Sequence, residues 1–200
     1  MPHVILLNGV SSAGKSSIAR VLQRRLDRPY LHVCIDTFEE MIPERRGEGG
    51  EFARRTVFDN MLSGFHHSLA ALARCGNNLI VDHVMIEDDE HPNWVRECLT
   101  QLEPNDVFIV GVHCSLEELE RREGERGDRP AGLARWQYPR FHVRITYDFE
   151  VDTSLTSAEE CARQIAEALP LSDKHGLAAT LRLLKESGDA ESGGPTSPPR

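Results

Sequence analysis

The stretch Gly9-Val10-Ser11-Ser12-Ala13-Gly14-Lys15-Ser16 constrains this chain more than any other. It fits the pattern G-x-x-x-x-G-K-[ST] without a gap, and that pattern works between a strand and a helix. Both flanks are present. His3-Val4-Ile5-Leu6-Leu7-Asn8 reads as a short buried strand, and Ser17 to Leu26 as a helix with Ile18, Val21, Leu22 and Leu26 on one side. In such a unit the glycines let backbone N–H groups point into one concavity. The helix N-terminus adds the positive end of its dipole, and phosphate oxygens fill the space. Residues Gly9 to Ser17 are therefore the expected phosphate cradle. Lys15 is expected to reach the β- and γ-phosphates, and the Ser16 hydroxyl to ligate Mg²⁺. The competing reading, a glycine turn that binds nothing, leaves the lysine and serine unexplained.

The rest of the chain alternates in the way a parallel sheet requires. Tyr30 to Ile35 reads as a second strand ending at Asp36, and Asp36 to Ile42 as a short helix. Pro43 to Gly50 reads as a polar loop. Phe58, Met61, Leu62, Phe65, Leu69 and Leu72 recur at spacings of three and four, predicting a helix over 51–74 that stops at Cys75-Gly76-Asn77. Asn78 to Asp82 is a third strand, Pro92 to Leu102 a helix, and Asp106 to His113 a fourth strand. Ser115-Leu116-Glu117-Glu118 is a capping box opening a helix toward Glu123. A short helix over 131–137, a strand over 147–151 and a helix over 157–169 complete the pattern. Continuous apolar strands alternating with helices predict an α/β three-layer sandwich: a five-stranded parallel sheet with helices on both faces. Residues 1–170 form the expected domain. Residues 171–200 read as an appendage, with a helical segment near Leu177 to Leu184 and disorder from about residue 187, where Gly, Ser, Pro and charge dominate.

Composition narrows the partners. A formal net charge of −9 argues against a nucleic-acid surface, which needs a basic face. The apolar runs are too short to span a membrane. Five scattered cysteines with no C-x-x-C spacing read as reduced, mostly buried thiols, and with no leader pattern at the N-terminus the expected location is the cytoplasm.

In open parallel sheets ligands bind beyond the carboxyl ends of the strands. Asp36 and Asp82 end the second and third strands, so both reach the edge that carries the glycine loop. Phosphoryl transfer to an alcohol needs a group that accepts the hydroxyl proton and a metal shell at the phosphates. Asp36 opens toward 37–60 and suits the first role; Asp82, ending an apolar strand, suits the second together with Ser16. Spacing also allows plainer roles: Asp36 with Glu39 is a capping arrangement for the next helix, and Asp82 is a solvated strand end. The neighbours His66 and His67 diverge by about 100° on a helix and read as structural. Arg122, Arg126 and Arg129 follow the fourth strand among Gly124, Gly127 and Gly132. Such arginines stabilise charge spread over a transferring phosphoryl group, on a lid that closes over the nucleotide. A solvated helix end is the alternative, since Glu120, Glu123 and Glu125 interleave with them.

Several separate stretches resemble the chloramphenicol phosphotransferase-like family of P-loop kinases. They are Leu7 to Ser16; Val33 to Pro43 around Asp36; Leu79 to Val84; Arg126-Gly127-Asp128-Arg129-x-Ala131-Gly132 with Gln137; and Tyr147 to Thr153 followed by Glu160-Cys161-Ala162. They cover residues 3 to 169 in order. The resemblance implies an ATP- and Mg²⁺-dependent phosphotransferase acting on a hydroxyl of a small molecule. It implies Asp36 as general base, Gly9 to Ser16 as the phosphate loop, and Arg122, Arg126 and Arg129 on the lid. Two rivals stay open: a P-loop kinase for another metabolite or a nucleotide, and a non-catalytic ATP-dependent switch. No Asn is followed by Lys, so the base-reading motif of a guanine-nucleotide switch is missing.

Overall fold

The computed structural model describes residues 1–43, 50–86, 93–126 and 132–192 of the chain. In chain order the elements are β1 (His3–Asn8), α1 (Lys15–Arg25), β2 (Tyr30–Cys34), α2 (Ile35–Glu39), α3 (Gly50–Arg74), β3 (Asn78–His83) and α4 (Trp94–Leu102). There follow β4 (Asp106–His113), α5 (Leu116–Arg126), α6 (Leu133–Gln137), a 3₁₀ turn (Tyr138–Arg140), β5 (Phe149–Asp152), α7 (Ala158–Ala168) and α8 (Gly176–Ser192). The five strands form one parallel sheet in the order β2-β3-β1-β4-β5.

The continuous apolar strands are buried on both faces. Ile5 and Leu7 of β1 pack with Ile18, Leu22 and Ile165 beneath α1 and α7. Val4 and Leu6 point the other way, against Phe65, Leu69, Leu99 and Leu102 of α3 and α4. The alternation of side chains along a strand produces these two cores from one apolar run. From β1 the chain crosses to β2 on one side of the sheet and later places β4 on the other. The divergence opens a crevice at the carboxyl end of β1, where the glycine loop lies.

Local signals set the helix starts. Ser157 caps α7, its hydroxyl accepting the Glu160 N–H, and Ser115 Oγ accepts the Glu118 N–H at the start of α5. The last strand begins two residues later than its composition predicts. Tyr147 leaves the strand path: its hydroxyl accepts a hydrogen bond from Asn8 Nδ2 at 2.8 Å and its ring lies on Gly111, where a Cβ would come within 2.8 Å of it.

Where they are described, the residues after 170 pack against the domain. Helix α8 packs Leu177, Leu181 and the buried Leu184 onto the core of α3 and α4. Arg96 donates to the Leu184 carbonyl, Thr180 Oγ1 accepts the Thr146 N–H, and Asp148 accepts the Gly176 N–H. Apolar positions one helical turn apart explain the docking: they give 176–184 a face to bury, so the packed chain extends past residue 170. The helix runs to Ser192, and residues 193–200 lie outside the described residues.

Candidate active site

A cleft of about 830 Å³ runs along the carboxyl edge of the sheet. The glycine loop forms its floor. Gly9 is needed for close approach, because a Cβ there would stand 2.6 Å from the Val112 carbonyl. Gly14 has φ +87°, a left-handed conformation that starts α1, and Ser12 adopts φ +66°. Three of the loop's carbonyls are tied down: Val10 O accepts from Lys15 Nζ within the loop, and from outside Thr153 Oγ1 donates to Ala13 O and Arg122 Nη1 to Ser12 O. Ser11, Ser12, Gly14, Lys15, Ser16 and Ser17 line the cleft. Gly9, Val10 and Ala13 of the expected cradle do not; the side chains of Val10 and Ala13 are buried in the core below.

Asp82, the penultimate residue of β3, joins this floor. Ser16 Oγ donates to Asp82 Oδ2 at 2.5 Å, Lys15 Nζ stands 3.6 Å from Asp82 Oδ1, and His32 Nε2 lies 3.7 Å from Oδ2. Asp82 is only 3% exposed. Burial pushes its pKa up, but Lys15, His32 and the Ser16 hydroxyl outweigh that and hold it well below the usual carboxylate range. A hydroxyl and an ionised carboxylate side by side under a phosphate loop are an oxygen donor pair suited to Mg²⁺. Asp82 is thus no solvated strand end.

Asp36 lines the same cleft, within the first turn of α2. It is not the helix cap: Cys34 holds that position because the strand stops one residue earlier than expected and the helix begins at Ile35. Arg126 also lines the cleft. Arg122 lines it too, but as part of the loop's fixed support. Its guanidinium donates to Glu118, Thr153 Oγ1, Thr153 O and Ser12 O, so most of its N–H groups are committed to neighbours. Arg129 and Gly127 lie outside the described residues, as do Arg45 and Arg46.

The structure gives two residues of the matched stretches, Thr153 and Gln137, places that the motifs did not assign, and adds four more. Thr153, Ser154, Leu155, Thr156 and Ser157, between β5 and α7, form the far wall of the cleft, with Leu155 exposed. The only signal for Ser154 to Ser157 was position, the carboxyl end of the last strand. Gln137 accepts the Ser11 N–H at 2.8 Å.

Behind the site, His66 Nε2 and His83 Nε2 are 3.0 Å apart and fully buried, with Cys98 close by. The Val84 N–H donates to His83 Nδ1, so the His83 proton sits on Nε2 and is shared with His66. Burial pushes the pKa values of both imidazoles down. The pair is structural, as expected for His66. His67 is exposed, hydrogen-bonded to the Ser63 carbonyl.

Comparison with known proteins fits this geometry. The family described as chloramphenicol phosphotransferase-like protein matches residues 2–170. A Mycobacterium tuberculosis protein provisionally named an O-phosphotransferase is 32% identical over 186 residues, covering 82% of this chain and 81% of that protein. The bifunctional enzyme CysN/CysC of Rhodopirellula baltica is 27% identical over 192 residues, covering 85% of this chain and 26% of that protein. Among solved structures, the M. tuberculosis APS kinase CysC in complex with AMPPNP and APS superimposes with a TM-score of 0.62 at 18% identity, over 84% of this chain and 98% of that one. This likeness establishes the α/β P-loop fold.

Proposed function

This chain belongs to the chloramphenicol phosphotransferase-like family, and we propose that it moves the γ-phosphoryl group of ATP to a hydroxyl of a small molecule. It is a P-loop kinase with a hydroxyl acceptor. The observation that carries the reading is the meeting of Lys15, Ser16 and Asp82 beneath a loop whose cleft Asp36 and Arg126 also line.

The residues divide the work as follows. Asp36 takes the proton of the acceptor hydroxyl as that oxygen forms its bond to the γ-phosphorus and the bond to the bridging oxygen of ADP breaks. Lys15 exchanges the Val10 carbonyl for phosphate oxygens. The loop amides, Lys15 and Arg126 then meet the charge spread over the transferring group, a role the family resemblance also gives to Arg129. Arg122 keeps the loop in shape. Ser16 and Asp82 would hold Mg²⁺, which supplies neutralising charge at the β- and γ-phosphates.

Chloramphenicol is one candidate acceptor, by family membership. The deciding experiment is a screen of hydroxyl compounds, chloramphenicol among them, for acceptor-dependent release of ADP. Stimulation by at least one acceptor is expected. Bound nucleotide with no stimulation by any acceptor would favour an ATP-dependent switch.

A further inference from the structure

We propose that Gln137 is a positioning residue of the phosphate loop, acting through the Ser11 amide. The inference rests on the phosphoryl-transfer reading of the cleft and assigns a residue outside the loop to it.

A phosphate loop works by presenting N–H groups to the ligand, which requires its carbonyls to face elsewhere. Here three carbonyls are tied: Val10 by Lys15, Ser12 by Arg122 and Ala13 by Thr153. One amide is tied as well. Ser11 N–H donates to Gln137 Oε1 at 2.8 Å, in a bond buried from solvent. Among the described residues, it is the one amide of residues 9–14 that donates to a side chain. The bond sets where the loop stops belonging to the strand and starts presenting donors to the cleft. Two residues later in this turn the Ala13 N–H closes back on Val10 O at 3.1 Å, and between them Ser12 is left at φ +66°. A non-glycine residue in that conformation persists only where its surroundings hold it there. The Ser11 and Ala13 bonds, one on each side of Ser12, do that.

The position of Gln137 is itself secured. It ends α6 and is 8% exposed. The other end of α6 is gripped by Glu123 of α5, whose buried carboxylate accepts the Gly132 N–H at 2.6 Å and the Ala134 N–H at 2.7 Å. Glu123 neighbours Arg122, which supports the same loop from the other side. Helices α5 and α6 thus hold the phosphate loop at two successive residues, Ser11 by its amide and Ser12 by its carbonyl.

The test compares Gln137→Met, which keeps the side chain's length without an acceptor, with Gln137→Glu, which retains an acceptor oxygen. Hydrogen exchange at the Ser11 amide reads the bond directly, and calorimetric titration with Mg²⁺ and ATP reads its consequence. The Ser11 amide is expected to be protected in the parent and in Gln137→Glu, and to exchange at least tenfold faster in Gln137→Met. In that variant the dissociation constant for ATP should rise roughly tenfold, the scale set by one buried hydrogen bond, with the thermal midpoint within a few degrees of the parent. Loss of amide protection in both variants or in neither overturns the proposal. So does unchanged ATP affinity in Gln137→Met. Should Gln137→Met not fold, Gln137→Asn, whose shorter side chain withdraws the acceptor, takes its place with the same expectations. Lys15→Ala separates the two readings: it should abolish ATP binding while the Ser11 amide stays protected. ATP binding at parent strength in Lys15→Ala would sink the phosphoryl-transfer reading whatever Gln137 does.

Discussion

Ser16 and Asp82, 66 positions apart, are joined by a 2.5 Å hydrogen bond from the Ser16 hydroxyl to Asp82 Oδ2. The bond pins the first turn of α1 to the end of β3, with Lys15 3.6 Å from the other carboxylate oxygen. Asp82 therefore serves both the fold and the site. Its charge balances a buried lysine, and its oxygens face Ser16, Lys15 and His32 at the cleft floor.

Asp82→Asn removes that charge without changing the shape. It leaves the Lys15 ammonium buried without its partner, and a lost stability of about 2–4 kcal/mol is expected from denaturant unfolding. Mg²⁺-dependent ATP affinity should fall at the same time. Because the folded pKa is depressed, the stabilisation is present above the ordinary carboxylate range and disappears as pH falls through the folded value.

Asp36→Asn should leave the fold intact, since Asp36 is only half-buried and does not cap α2. If Asp36 takes the acceptor proton, kcat should fall by about 10²–10⁴ with nucleotide affinity little changed. Single-turnover kinetics with an acceptor found in the screen checks this, and parent-like turnover would remove Asp36 from the mechanism.

The buried histidines give a second pH dependence at higher pH. Burial lowers the pKa of His83, His66 and His142, the last to about 4, aided by its stacked neighbour His113. Below about pH 6.5 the unfolded chain binds protons that the folded chain refuses, so stability drops as pH falls from there. Thermal midpoints at pH 7.5 and pH 5 should differ, and His83→Gln should shrink the difference. A midpoint independent of pH across that window would contradict the neutral pair.

Truncation separates the docked helix from the tail. Ending the chain at residue 175 removes Leu177, Leu181 and Leu184 from the core and strands the Arg96 and Asp148 hydrogen-bonding groups. Loss of cooperative unfolding or of soluble expression is expected. Leu184→Ala alone should cost about 2–4 kcal/mol. Ending the chain at 192 should leave both stability and ATP binding unchanged.

The reach of the sequence varied with the range of the interaction. The glycine loop, the five strands and most helix limits follow from local rules: two apolar faces on each strand, a capping serine, glycines at left-handed or crowded positions. The arrival of Asp36 and Asp82 at the loop's edge follows from their places at the close of apolar strands in a parallel sheet, which residue order alone predicts. Tyr147 escaped that logic, because its place depends on the absence of a side chain at Gly111 and on Asn8, both distant in sequence. The docking of α8 escaped it as well, since an amphipathic segment near a chain end reads equally as loose or bound until a partner face is known.

The sequence by itself determined the phosphate loop, the parallel α/β sandwich and the set of charged groups on its carboxyl edge, because each is written in contiguous residues with a fixed period. Tertiary structure alone decided what those groups do to one another. It turned Asp82 inward to Lys15 and Ser16, joined Arg122 to Thr153 and Ser12, and brought Gln137 to the Ser11 amide. Hydrogen bonds and ion pairs act over a few ångströms, so their partners exist only once the chain has folded.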